Sequence, residues 1–190
     1  MHRPTHRLLG AALALALVAP AAARAQYSPD RATALEVRKE FLADLDSLHS
    51  KFLQLADAFP ADKYSWRPAP GVRSVGEVFM HVASEYYFYT PAVWGAKPSP
   101  ILEAKKEAFD KFEKMSSKPE VLKHLKEGFA FGRQAVASLE DEKIIGIHKI
   151  FNHDRQAIEM TLDMTDDLHE HLGQLIAYAR MNGVKPPWSK

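Results

Sequence analysis

The residues of this sequence with the clearest chemical potential lie in the short stretch Asp167-Leu-His-Glu-His171. On an α-helix each residue turns by about 100°, so Asp167 and His171, four positions apart, lie about 40° from each other and can reach one cation. His169 lies about 160° from His171, and Glu170 belongs to another face. The stretch is not an H-E-x-x-H protease motif, because its second histidine comes too early. The spacing therefore predicts that Asp167 and His171 form a metal-binding pair.

A bound cation needs a third protein ligand, and the candidate is His81 in the segment 74–87, SVGEVFMHVASEYY. If His81 faces His171 across a helical bundle, two imidazoles and one carboxylate leave a coordination position for water or substrate, which is typical of catalytic sites. This donor set suits zinc and, in a facial arrangement, iron(II). Two simpler interpretations stay open: His81 as a hydrogen-bonded core residue, and Asp167 with His171 as a solvated surface pair.

The elements that must position these residues are mainly helical, because apolar residues recur at helical spacing in four segments. Ser74 and Glu77 have the form of a capping box and mark the start of the second segment. No hairpin signal, repeat or low-complexity tract is found, so the pattern predicts an all-α four-helix bundle with one long crossover connection. The predicted helices span about 27–59, 74–89, 119–139 and 154–181, with an ordered loop at 60–73, a short amphipathic helix with a solvated charged face inside 91–118, and a partly extended linker at 140–150.

The first residues have the build of a secretory signal peptide. Two arginines precede an uninterrupted apolar run at 8–18, and Ala-Arg-Ala at 23–25 supplies the small residues of a cleavage site. The run is shorter than the roughly 20 residues that a spanning helix needs. We therefore expect residues 1–25 to be removed and residues 26–190 to form a single domain, secreted or periplasmic and without a stable membrane anchor.

The cysteine content and the charge balance of the chain limit which kinds of molecule it is expected to bind. The chain has no cysteine, so its stability depends on packing rather than on disulfides. The 25 basic residues include three arginines of the predicted signal peptide, which leaves 22 basic against 24 acidic residues. This balance gives no electrostatic reason to expect nucleic acid or an anionic membrane as a partner. We expect a small-molecule substrate.

Three stretches of the sequence resemble the DinB-like (DinB/YfiT-like) proteins, and the resemblance covers about residues 35–190. They are WRPAPGVRS at 66–74, SVGEVFMHVA at 74–83 and HLGQLIAYARMNGVKPPWS at 171–189. The last of these is specific in length and order. The resemblance implies a four-helix bundle of up-down-down-up type that is frequently a homodimer.

The resemblance also implies a divalent metal held by three histidines, one on the second helix and two, as H-x-x-x-H, on the last helix. Carried over by position, the first is His81 and the final one is His171. Asp167 occupies the place where the common family pattern has histidine. A carboxylate keeps the site competent to bind metal but changes its charge and metal preference. It is equally compatible with a member that has lost the metal.

The leading hypothesis is a metal-dependent enzyme in which His81, Asp167 and His171 bind the ion, and Glu85 and Tyr178 serve as catalytic groups that orient ligands or transfer protons. We expect zinc first, with nickel, iron(II) or manganese as alternatives. Characterised relatives are thiol transferases and isomerases, and others are suspected hydrolases. The runner-up is a non-catalytic bundle whose apolar pocket beneath 86–89 holds a small ligand without metal.

Overall fold

The computed structural model describes residues 30–103, 105–150 and 152–189. The predicted signal peptide lies outside these residues. Asp30 caps the first helix, where its Oδ1 accepts a hydrogen bond from the backbone N–H of Thr33 at 2.8 Å. The elements are α1 (Arg31–Ala58), a short 3-10 turn (Ala61–Lys63), α2 (Val75–Trp94), α3 (Lys106–Glu113), α4 (Lys118–Ser138), α5 (Asp141–Ile145), β1 (Ile147–Ile150), β2 (His153–Gln156) and α6 (Ala157–Met181).

The four long helices form the predicted all-α bundle. Both α1 and α2 pack against α4 and against α6, so each long helix has two of the others as neighbours. The apolar stripes meet in one continuous core. Among the described residues, no helix is long and apolar enough to cross a membrane. Side chains from all four helices are essentially inaccessible to solvent, including Leu45, Phe52, Val78, Phe79, Leu125, Leu168 and Leu175.

The second helix is longer than the sequence predicts. The Ser74 and Glu77 capping box is present at its start, as predicted. The expected end before Pro91 is wrong, because α2 continues through this proline to Trp94 and ends at Gly95 in the left-handed conformation, with φ 67°. A proline inside a helix removes one backbone hydrogen bond. Burial of Val93 and Trp94 in the core offsets that loss.

The linker before the last helix contains a hairpin that the sequence analysis did not predict. Strands β1 and β2 pair in antiparallel register, with Ile150 opposite His153. The chain reverses at Asn152, whose φ of 66° lies in the left-handed region that asparagine tolerates. Helix α6 consequently begins at Ala157 rather than near residue 154, and Gln156 with Glu159 forms its capping box.

Two features at one end of the bundle position the candidate site. The loop at 60–73 is ordered as predicted: the Tyr64 hydroxyl donates to the Ala56 carbonyl oxygen at 2.6 Å, and the backbone of Trp66 accepts a hydrogen bond from the N–H of Val75. Gly76 allows the segment between α3 and α4 to lie against α2, because a Cβ at this position would clash with the Ser116 carbonyl oxygen. This close approach brings the end of α3 to the site.

Candidate metal centre

Two histidines from different helices meet at the interface of α2 and α6. The rings of His81 and His171 have centroids 4.9 Å apart and lie nearly perpendicular, at 86°. Both side chains are largely buried, with 21% and 16% of their area exposed. The apolar residues that flank each histidine on its helix enter the core and fix the helix faces that carry the rings. Two imidazoles that are distant in sequence are therefore held side by side.

The carboxylate of Glu85 completes a group of three potential ligands. Its Oε1 lies 3.3 Å from His81 Nε2 and 4.0 Å from His171 Nε2. One ligand atom of each of the three residues lies within 4.8 Å of the others. Tetrahedral zinc with bonds of about 2.0–2.1 Å places its ligand atoms about 3.3 Å apart. To bind one ion, the three ligand atoms would have to move closer together, by up to about 1.5 Å at the widest separation.

Glu85 carries the feature that best fits a cation. Its side chain is 10% exposed, and its Oε2 is buried without a hydrogen-bond partner. Burial raises the pKa of Glu85, His81 opposes the shift and the nearby carboxylate of Asp167 adds to it, and together they bring this pKa to about 7. A buried carboxylate oxygen without a donor is costly. A divalent ion would satisfy that oxygen and would favour the ionised carboxylate, so the residues present fit a metal.

A carboxylate behind His81 sets the orientation of its ring. His81 Nδ1 donates to Glu113 Oε1 at 2.7 Å, and Glu113 Oε2 accepts from Arg73 Nε at 2.9 Å. Burial lowers the pKa of His81, but hydrogen bonds to Glu113 and Glu85 outweigh this effect and raise the pKa to about 9. A ring that donates its Nδ1–H to a carboxylate presents Nε2 to the metal, which is a common arrangement in metal sites.

A second chain of hydrogen bonds lies behind His171. His171 Nδ1 is 3.3 Å from Gln174 Oε1, Gln174 Nε2 donates to the Tyr178 hydroxyl at 3.0 Å, and this hydroxyl donates to the Arg73 carbonyl oxygen at 3.4 Å. Burial lowers the pKa of His171, and the opposing effects of Asp167 and Gln174 do not cancel this shift. A neutral ring with its proton on Nδ1 leaves Nε2 free to bind metal. Arg73 joins both chains, through its guanidinium on one side and its backbone on the other.

The structure gives the predicted site residues different positions. His81 and His171 face each other, and Glu85, predicted as a proton-transfer group, lies in the ligand group. Asp167, predicted as the third ligand, is at the rim: its Oδ1 lies 3.7 Å from His171 Nε2 and its side chain is 41% exposed. Tyr178 lies behind His171 and reaches it only through Gln174. Its hydroxyl is therefore placed to orient the ring.

Glu113, Arg73 and Gln174 are not among the residues predicted from the sequence. The predicted solvated charged face of the short helix inside 91–118 is wrong for Glu113, whose side chain is only 18% exposed and bonds to His81. No local pattern separates this glutamate from its charged neighbours, since its partner is 32 positions away. Gln174 and Arg73 both lie within the stretches that carry the family resemblance, which was the available signal.

Comparison with known proteins identifies the family. A family model described as the DinB superfamily matches residues 44–179, which include all three residues of the ligand group. The chain belongs to the DinB superfamily. A search of curated proteins finds no match.

A solved structure supports the DinB fold. The chain is similar to the crystal structure of a DinB-like protein from Bacillus cereus ATCC 10987, with a TM-score of 0.64 and 17% sequence identity. The alignment covers 80% of this chain and 97% of that one. At this identity the likeness establishes the fold alone. It agrees with the DinB-like helical bundle that the sequence predicts.

The contact behind His81 leads to a first prediction. Replacing Glu113 with glutamine keeps a hydrogen-bond acceptor near His81 but removes the negative charge that favours ligation. We expect zinc affinity to fall by about 10–100-fold, measured by competition with a chromogenic chelator. Glu107→Gln, on the exposed face of the same short helix, is the matched control. Equal zinc affinities of Glu113→Gln and the wild type would show that this contact does not support the site.

The pKa values lead to a second prediction, on the dependence of metal binding on pH. Metal binding requires neutral His81 and ionised Glu85, whereas the metal-free protein has pKa values of about 9 and about 7 for these groups. Both pKa values exceed the ordinary ones, which are 6.5 for histidine and 4.5 for glutamate. Protonation of these two groups therefore stabilises the folded metal-free protein. This stabilisation is lost as pH rises through 7 and then 9. A divalent ion such as zinc would have to displace these protons, so we expect it to bind more tightly as pH rises.

Thermal melts of zinc-loaded and chelator-treated protein measure this effect directly. We expect the difference between their Tm values to grow from about pH 6 to about pH 8.5, because the metal-free form loses stability while the metal-bound form gains affinity. A difference that stays constant over this range would contradict the assignment of His81 and Glu85 as ligands.

Proposed function

We propose that this DinB protein is an exported enzyme that depends on a divalent metal held by His81, Glu85 and His171. The observation that carries the proposal is the buried Glu85 Oε2 without a hydrogen-bond partner, placed beside two imidazoles. Two nitrogen ligands and one oxygen ligand suit zinc first, and nickel, iron(II) and manganese compete with it. The predicted signal peptide is the basis for export to the periplasm or outside the cell.

The chemistry of the site divides between the ion and the protein. When bound, a divalent ion would act as a Lewis acid that polarises a substrate carbonyl or activates a nucleophile. Glu113 holds His81 in its ligating orientation, and Gln174 does the same for His171. Asp167 Oδ1, partly exposed and beside His171, would accept a proton from the attacking water and pass it to the leaving group.

Of the reaction types that the family resemblance suggests, we favour hydrolysis of a small molecule over thiol transfer. Low-molecular-weight thiols are largely cytosolic, and an exported protein would rarely meet them. Hydrolysis needs a Lewis acid, a carboxylate for proton transfer and water, and the rim position of Asp167 satisfies the second requirement. The active form would be a homodimer, as in many relatives.

A panel of small ester, amide and thiol-transfer substrates tests this proposal. We expect zinc-loaded protein to turn over one class of substrate, with activity lost on chelation and restored by metal. Asp167→Asn should lower kcat while zinc content stays the same, because the proton-transfer group is removed but the ligand group remains. Zinc-loaded protein that turns over none of the substrates would contradict the proposal.

One observation favours a second candidate, a non-catalytic ligand-binding protein. Asp167 stands where the common family pattern has histidine, so the usual three-histidine site is incomplete. In that case, metal-free and metal-treated protein would have the same Tm, because only a ligand that binds the folded form raises stability. The same melts therefore separate the two candidates.

A further inference from the structure

A cavity of about 270 Å³ lies between α2 and α6 next to the candidate metal centre. Its walls are mainly apolar and include Val93 and Trp94 from α2 and Met160 and Met164 from α6. An engineered cavity of roughly 150 Å³ is large enough to bind benzene. The cavity can therefore hold an aromatic ring or a branched aliphatic group.

The cavity and the metal centre belong to one groove. Asp167 lines the cavity, and its Oδ1 lies only 3.7 Å from His171 Nε2. On α2, Glu85 of the metal centre and Tyr89 of the cavity wall are four positions apart and share a helix face. A molecule whose head contacts the ion can therefore extend its tail about one helical turn, roughly 5 Å, into the cavity.

The charges of the cavity lining limit which ligand tails can enter the cavity. The described residues that line the cavity include two carboxylates, Asp163 and Asp167, and no lysine or arginine. The nearby Arg155 is outside the cavity lining and is paired with Asp163 at 2.9 Å, so no free cation is present in the lining to receive an anionic tail. The indole N–H of Trp94 donates to the Thr161 hydroxyl at 3.1 Å, so this ring presents an apolar surface.

We propose that this cavity is the specificity pocket for the substrate tail, and that the substrate is a small molecule with a metal-binding head and an aromatic or branched apolar tail without negative charge. The inference rests on the proposed metal-dependent function. It assigns selection of the tail to residues that take no part in metal binding, chiefly Met160, Val93 and Trp94.

Three hydroxamates test the pocket, since each carries the same metal-binding head. Acetohydroxamate has no tail, 3-phenylpropionohydroxamate has an aromatic tail, and 3-(4-carboxyphenyl)propionohydroxamate carries a negative charge at its end. With zinc-loaded protein, calorimetry should show that the phenyl compound binds about tenfold more tightly than acetohydroxamate, because its ring leaves water. The carboxylated compound should lose this gain.

Two variants that introduce tryptophan test whether the gain in affinity from the phenyl tail arises in the cavity. Met160→Trp fills the cavity and should reduce the gain from the phenyl tail to less than about twofold, with zinc content unchanged. Leu162→Trp adds the same side chain to α6 at a position that is 51% exposed and outside the cavity lining, and it should keep the full gain. Thermal melts of both variants confirm that each is folded.

The outcomes separate the pocket from the metal centre. Zinc-loaded wild type that binds all three hydroxamates equally would overturn the pocket and leave the proposed function standing, as would an undiminished gain in Met160→Trp. Wild type that binds no zinc would overturn the proposed function, and the pocket inference with it.

Discussion

His171→Ala is expected to lower the affinity for zinc on the order of 100-fold or more, so that the purified variant contains little metal. His171 is one of the three proposed protein ligands, and each ligand carries a large share of the roughly 10–16 kcal/mol typical of structural zinc binding. The Tm of the variant should no longer respond to a chelator. Metal analysis of the purified protein and chelator competition measure these effects.

The matched control is His169→Ala, two positions away on the same helix. The side chain of His169 is 52% exposed, and its Nδ1 is 2.9 Å from the Thr165 carbonyl oxygen. This variant should bind zinc as the wild type does. Equal metal loss in both variants, or in neither, would mean that α6 contributes no specific ligand at position 171.

Glu85→Gln is expected to have two large and opposite effects. Zinc affinity should fall on the order of 100-fold because a charged ligand is lost. The metal-free protein should become more stable by about 1–3 kcal/mol near pH 8, because burial disfavours the ionised carboxylate, whose pKa is raised to about 7. Urea unfolding in the presence of a chelator measures the second effect.

Asp167→Asn is the variant to compare with Glu85→Gln. Asp167 is partly exposed at the rim, so we expect zinc affinity to fall by less than about tenfold. This pair of variants decides which carboxylate is the ligand. If Asp167→Asn loses more zinc affinity than Glu85→Gln does, the ligand set predicted from sequence, with Asp167 as third ligand, is favoured over the geometry described above.

The fold was predictable because it depends on local periodicity. The capping box of Ser74 and Glu77, the apolar stripes and the stop after Met181 are all set by residues within a few positions of each other. The errors arose where tertiary contacts override local preference. Packing of Trp94 in the core carries α2 through Pro91, and the hairpin depends on pairing between two short strands that lack strong alternation.

The site was only partly predictable for a related reason. His81 and His171 could be paired because each lies among apolar neighbours on a recognisable helix and in a stretch that carries the family resemblance. Glu85 and Asp167 both lie four positions from one of these histidines. Spacing alone cannot rank them, because the rank depends on which carboxylate is buried between the two helices. The role of Glu113 could not be predicted from the sequence, because Glu113 contacts His81 only through the packing of α3 on α2.

A crystal of zinc-loaded protein measured at the zinc absorption edge gives the most direct test. We predict one anomalous peak per chain at the interface of α2 and α6, about 2.0–2.2 Å from His81 Nε2, His171 Nε2 and a carboxylate oxygen of Glu85. Zinc found only at exposed histidines, or no peak between these two rings, would contradict this prediction.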